Sequence, residues 1–291
     1  MPYCFERYES VATAVNRIIG ELTWTAAREL HPGHPNYHAW VHNTRTSYKR
    51  VRSLLRLVRG SLGQSAYREE QSRIRGAANQ LSGLRDAEVM VLSCDRLAES
   101  FAEHRAALGS VREFMLSRYQ RITRIETNLQ QKLLATAKEL EDLTLRCADW
   151  SLPVGFDEPA ANFARSYKRG RTELERVYRE PGSDGFHEWR KRVKDHWHHC
   201  RLFDLAWPPA MMRRHTELKE LADLLGEDHD LAVLQQVMAE EGNGADNLSG
   251  ELARQRQQVL RERAGVLGQR IYADEPDVLA GQLRESLERW V

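Results

Sequence analysis

Val41-His42-Asn43-Thr44-Arg45-Thr46-Ser47-Tyr48-Lys49-Arg50-Val51-Arg52-Ser53-Leu54-Leu55-Arg56 reads as a helix with one cationic edge, and its pattern of basic positions recurs later in the chain. A helix advances about 100° per residue. With His42 as zero, Arg45, Lys49, Arg52 and Arg56 all fall in a sector about 80° wide. Val51, Leu55 and Val58 point the other way, toward a core. The second copy begins Phe186-His187-Glu188-Trp189-Arg190-Lys191-Arg192-Val193-Lys194 and continues to His198 and Arg201. His42 and His187 stand 145 positions apart, as do Arg45 and Arg190, Lys49 and Lys194, and Arg56 and Arg201. In this copy Arg190, Lys194, His198 and Arg201 fall within about 60° of His187, with Lys191 flanking them.

A second pair follows in the same order. Leu81-Ser82-Gly83-Leu84-Arg85-Asp86-Ala87-Glu88-Val89 answers Leu225-Gly226-Glu227-Asp228-His229-Asp230-Leu231-Ala232-Val233, with Asp86 and Asp230 144 positions apart. Two related elements at nearly one offset read as a tandem duplication. The expectation is one domain over 1–291, with halves at about 5–149 and 157–290 packed about a pseudo-two-fold axis. The linker falls at 150–158, which holds a proline and a glycine.

Between these motifs the periodicity is helical, and no convincing period-2 strand run occurs. Helices are expected over 6–29, 38–60, 65–80, 84–101, 110–146, 159–179, 184–204, 209–224, 228–240, 248–272 and 276–290. Arg112 to Arg146 contains neither Pro nor Gly, which favours one long helix there. The fold class is therefore all-α, with the helices divided between two repeated halves.

With 291 residues and 41% hydrophobic content, the chain can bury a real core. A mean hydropathy of −0.62 and no run near the ~18 apolar residues of a membrane span point to a soluble protein. The N-terminus shows no secretory signal. Cys4, Cys94, Cys147 and Cys200 are scattered with no CxxC, so a reducing compartment, the cytoplasm, is expected.

Net charge is only +1, but the charge is blocked. His38 to Gly60 carries six Lys/Arg and no acid, whereas Glu217 to Glu241 carries eight acids against Lys219. A solvated helix normally mixes signs, with Glu four residues before Lys or Arg. A like-charged stripe needs counter-charge from a polyanion or from the acidic segments of the same chain. Arginine forks and lysine ammonium groups on one line suit an extended phosphate chain.

In their order, these motifs resemble the CHAD family, the conserved-histidine α-helical domain. The carriers are Val41-His42 to Arg52, Leu84 to Val89, Phe186 to Lys194, Leu224 to Leu234 and the closing Leu267 to Pro276, so that the likeness spans about Phe5 to Trp290. The resemblance implies an all-α fold of two four-helix-bundle-like halves with long antiparallel helices related by a pseudo-two-fold, a basic central groove or channel, and binding of inorganic polyphosphate at granules without catalysis, cofactor or metal. The family's basic positions fall on His42, Arg45, Lys49, Arg50, Arg52, Arg56, His187, Arg190, Lys191, Lys194 and Arg201. Where the family often has Arg-Tyr, this chain has Trp197-His198, so a contact by His198 would be pH-dependent. No fused triphosphate-tunnel domain is expected.

Arg165, Lys168 and Arg169 form a further basic cluster and join the expected contacts. Arg85, Asp86 and Asp230 are expected as buried or half-buried ion pairs that set the stripe's geometry. Arg118, Arg121 and Arg124 are expected to be solvated, and most of the tryptophans to be core or bundle-end residues. Polyphosphate-metabolising proteins are expected partners, with neither a membrane nor nucleic acid favoured. Three alternatives remain. A nucleic-acid binder would show exposed aromatics and a pI above the 7.8 found here. A metal-dependent phosphohydrolase would centre on His229 and Asp230, with His199 and Asp246 as further ligands. A scaffold would pair its stripe with its own acidic helices. His196, His198, His199 and Cys200 point in different directions on a helix and do not converge on a metal. His34, His38 and His42 would share a face only if a helix began before Pro35.

Overall fold

The computed structural model describes residues 3–28, 37–125, 128–241 and 247–290. The described residues form twelve α-helices and one 3-10 turn, with no strand. The first half contributes α1 (Val11–Arg28), α2 (Tyr37–Leu57), α3 (Arg59–Leu62), α4 (Gln64–Gln80), α5 (Ser82–Ser100), α6 (Arg105–Ile125) and α7 (Leu129–Ala148). The second contributes α8 (Asp157–Arg179), α9 (Ser183–Leu202), α10 (Pro208–Glu240), α11 (Asn247–Ile271) and α12 (Pro276–Trp290). His34, Asp246 and the loop Gly242 to Gly244 lie outside the described residues, as do the side chains of His38 and Arg124.

Local chemistry sets the helix ends. Asp157 and Glu158 occupy the first turn of α8, where the helix dipole favours negative charge. Pro208 and Pro209 open α10, where their missing N–H groups cost nothing. The linker also has a structural task. The carbonyls of Pro153 and Val154 accept hydrogen bonds from Ala12 and Val11, two of the orphan donors at the start of α1.

α8, α9, α10 and α11 pack in succession, and α12 closes on α8. In the first half α1 packs on α7 and α2, and α5 on α6. The halves meet where α2 lies against α8 and α9, and where α5 touches α10 and α11. One hydrophobic cluster runs through both, from Phe5, Ile18 and Leu54 to Phe163, Trp189 and Leu283. Burying each such side chain contributes about 1.5–3 kcal/mol, so the contact between halves is core rather than seam. Trp189 is fully buried, and at Gly268 of α11 an added Cβ would come within 2.7 Å of its ring.

Two helix boundaries differ from expectation. The single helix over Arg112–Arg146 is two, α6 and α7, with Asn128 just before the second. Asn128 stands there at φ −103° and ψ 14°, outside helical geometry, and its side chain makes no capping hydrogen bond. Conversely, the pair expected at 209–224 and 228–240 is one 33-residue helix, α10. An isolated glycine costs a helix only about 1 kcal/mol, and Gly226 is buried inside it. Trp24 is also 57% exposed, away from the core position expected of most tryptophans.

Candidate functional site

The two cationic stretches are neighbours in space. On α2, Tyr48, Val51, Leu54 and Leu55 are buried, as is Val58 just beyond it, which turns His42, Lys49 and the arginines outward. On α9, Phe186, Trp189, Val193 and Cys200 are buried. The helices are pinned where Ser53 Oγ donates to the Asp195 carbonyl at 3.3 Å and His199 Nε2 donates to the Ser53 carbonyl at 3.0 Å. Burial holds His199 at a pKa of about 3, so it remains a neutral donor.

This crossing brings Lys49 and Lys194 into one cluster. Burial, then the positive fields of Arg45, Arg190 and Arg85, push Lys49 down to about 8. The residue as a whole is nevertheless exposed. Lys194 is half-buried, and burial followed by Arg190 and Lys49 pushes it down to about 7. Among the described residues, neither ammonium group meets a carboxylate within 4.0 Å. His42 lies in the same field, lowered by burial and then by Arg85, Lys49 and Lys194.

The arginines around this pair are only partly paired. Arg45 donates to the Ala78 carbonyl at 2.9 Å and stands 3.9 Å from Asp86. Arg85 is held by Glu88 at 2.6 Å. Arg190 lies over Gly226 of α10, where an added Cβ would touch its Nε at 3.5 Å. That Nε is buried and has no hydrogen-bond partner. Asp230 is 3.6 Å from Arg96. Its carboxyl is raised by burial and lowered in turn by Arg190 and Arg96. Asp86 departs from the expected burial, with its side chain 62% exposed.

The acidic segment does not neutralise the stripe. Glu227 pairs with Arg256 at 2.6 Å and Asp228 with Arg261 at 2.7 Å. Glu217 and Glu220 face Arg270 and Arg263, all four cations being on α11. Glu241 binds Arg118 and Arg121 of α6, which are therefore paired rather than merely solvated. The excess acid of α10 is thus largely used by α11 and α6, and the Lys49–Lys194 cluster keeps its positive charge.

The remaining expected contacts separate into three places. Arg52 faces Gln71, its Nε donating to Oε1 at 2.9 Å, while Arg56, Arg165 and Arg169 line a recess between α2 and α8. Arg50 and Arg201 flank the buried Tyr3 ring, Arg201 also lying over Trp197 at 5.6 Å. His198 is 4% exposed behind Tyr3 and Trp197, and burial keeps its pKa well below the usual value. It therefore does not extend the charged stripe. His187 stacks on His229, while Lys168 and Lys191 are exposed and Lys191 contacts Glu188 at 2.5 Å. Sequence periodicity missed Arg59 and Arg192, which line the same recess as Arg56. Arg192 sits off the stripe's phase, and only its place in the basic block signalled it.

No three His, Cys, Asp or Glu side chains gather to hold a metal ion among the described residues, and no described helix is long and apolar enough to cross a membrane. His196 shares a hydrogen bond with Ser166 Oγ at 2.8 Å and is fully buried.

Fold and site together define an all-α helical domain with a cationic cluster where two similar helices cross. The chain belongs to the CHAD domain family, whose sequence profile matches residues 34–239. It is similar over 97% of its length, and 94% of the other chain, to the crystal structure of the CHAD domain from the plant Ricinus communis, with a TM-score of 0.51 at 16% identity. At that identity the likeness concerns the fold. No curated protein matches the sequence.

Proposed function

We propose that the protein is a non-catalytic binding module for inorganic polyphosphate, acting in the cytoplasm at polyphosphate granules. The observation that carries this reading is the Lys49–Lys194 pair, one ammonium from each half, without a carboxylate within 4.0 Å among the described residues. Burial first, and then the surrounding cations, disfavour ionisation of both lysines, Arg45, Arg190 and Arg85 acting on Lys49, and Arg190 and Lys49 on Lys194. A polyanion would relieve that repulsion. The unpartnered Nε of Arg190 and the half-paired Arg45 offer further donors of the fork type that suits phosphoryl oxygens. Affinity would come from neutralising charge and releasing counterions, and a chain would gain over a single phosphate by making several contacts at once. Use of the acidic helix by α11 supports a ligand from outside over an internal counter-charge.

The test is a titration with long-chain polyphosphate at several salt concentrations, in wild type and in Lys49→Glu/Lys194→Glu. Tight binding that weakens steeply with salt and collapses in the variant, with helicity unchanged, is the expected result. Equal competition by single-stranded DNA would turn the reading toward a general polyanion binder. Phosphate release on incubation would overturn the non-catalytic assignment.

A further inference from the structure

About two helical turns beyond Lys49, a second cationic feature stands apart from the lysine pair. Arg56 of α2, Arg59 of α3, Arg165 and Arg169 of α8, and Arg192 of α9 line one recess, and Asp195 is the only carboxylate among its lining residues. Both halves of the chain build it. Asn162 fixes the wall, with Nδ2 donating to the Leu57 carbonyl at 2.8 Å and Oδ1 accepting from Arg165 at 2.7 Å.

The local acids are already used. Asp195 binds Arg56 at 3.0 Å. Glu158, one turn before Asn162, accepts from the backbone N–H groups of Gly60 and Ser61 at 2.5 and 3.0 Å. Glu188 is shared between Lys191 and Arg192, at 2.5 and 3.6 Å. Arg169 faces Arg192, Arg59 and Arg165, whose fields together with burial lower its pKa. Neither it nor Arg59 has a carboxylate within 4.0 Å among the described residues. Five guanidinium groups against one carboxylate leave an excess of four charges among the lining residues of a space bounded by five helices.

Arginine stays charged at every physiological pH and presents its donors as a rigid fork. Several forks converging from different helices suit a compact, multiply charged oxyanion better than a length of singly charged backbone. Phosphate monoester-like groups carry about −1.5 to −2 at neutral pH. Free phosphate and the last phosphoryl group of a chain share this chemistry, and the inner groups of a chain do not.

We propose that this recess is a second anion site that takes one phosphate dianion, as free inorganic phosphate or as the terminal phosphoryl group of a phosphate chain. The site uses none of the lysine cluster, so as a site for free phosphate it stands or fails apart from the function proposed above, whereas as a site for a chain terminus it rests on that reading.

The experiment is calorimetric titration of the full chain with inorganic phosphate and with tripolyphosphate, in wild type, Arg59→Ala/Arg169→Ala and the charge-keeping Arg59→Lys/Arg169→Lys. The expected result is saturable binding of one equivalent in wild type, weaker by tenfold or more in the alanine variant. The lysine variant keeps the charge and loses the forks, so it too should bind more weakly, with circular dichroism unchanged. Tripolyphosphate binding much tighter than phosphate, and displaced by it, assigns the site to a chain terminus. Equal affinity assigns it to the free ion. Absence of saturable phosphate and tripolyphosphate binding at low salt overturns the proposal. So does binding that is the same in wild type and in both variants.

Discussion

The imidazole rings of His187 and His229 stack with centroids 4.0 Å apart and planes 29° from parallel, joining α9 to α10. Burial, and then His187 itself, pushes His229 down to about 4, while burial also lowers His187. Two stacked rings pack well only when uncharged.

This stack predicts acid sensitivity. A histidine whose folded pKa lies below its unfolded value of 6.5 binds more protons when unfolded, so stability is complete above pH 6.5 and falls as pH drops toward 4. After allowance for partial exposure, His229 contributes about 1–2 kcal/mol to that loss. Urea unfolding at pH 7.5 and pH 5 should show a smaller difference in His229→Gln than in wild type. An identical difference would mean that other groups, such as the buried His196 and His199, account for all of it.

Two glycines predict opposite outcomes for one substitution. At Gly226 an added Cβ meets only Arg190, at an ordinary 3.5 Å. Gly226→Ala should therefore stabilise by about 0.5–1 kcal/mol through helix propensity. At Gly268 the same atom would lie 2.7 and 2.9 Å from Trp189 and 3.2 Å from Leu174. Gly268→Ala should destabilise by about 1–3 kcal/mol, because an overpacked core must shift. Denaturant midpoints of the two variants are the measurement, and shifts of the same sign would contradict this packing.

A third prediction concerns the first half. Arg146 of α7 grips Glu70 of α4 with both ends of its fork, at 2.7 and 3.0 Å, and Glu70 is only 5% exposed. Removing one member of such a pair strands the other. Glu70→Ala should cost about 3 kcal/mol, held at the low end of the usual range because Glu139 also binds Arg146 at 2.7 Å. Glu70→Gln, which keeps the shape, should cost less. Thermal unfolding of both variants checks the order.

The stripe on α2 was legible in the sequence because helical phase alone separates Lys49 and Arg56 from Val51 and Leu55. Which helix faces it was not legible. The meeting of Lys49 with Lys194 depends on the crossing pinned at Ser53, Asp195 and His199. Phase also misled at His198 and Arg201, which share a sector with His187 yet turn toward Tyr3. The interruption expected between 224 and 228 is absent, because one buried glycine costs a helix only about 1 kcal/mol. The recess was hidden for a related reason. Arg59, Arg165 and Arg192 belong to three helices, and no spacing rule connects them.

The last prediction uses the lysine pair to read the proposed function through pH. In the free protein Lys194 and Lys49 are held at about 7 and about 8, against 10.5 for the unperturbed side chain. A bound phosphate chain brings negative charge to both ammonium groups and favours their protonated forms, so binding takes up protons. Affinity is therefore greatest below pH 7 and falls as pH rises through 7 to 9. Each lysine contributes up to a tenfold fall per pH unit above its own pKa. Together they lower affinity by more than tenfold, and by at most about 500-fold, between pH 7 and 9. The surrounding arginines stay charged throughout that range, so they produce no slope of this sign. Lys49→Arg/Lys194→Arg keeps both charges at every pH and should flatten the profile while retaining binding. Polyphosphate titrations at pH 6.5, 7.5 and 9 in wild type and this variant are the measurement. Parallel profiles would place the bound chain elsewhere than on Lys49 and Lys194.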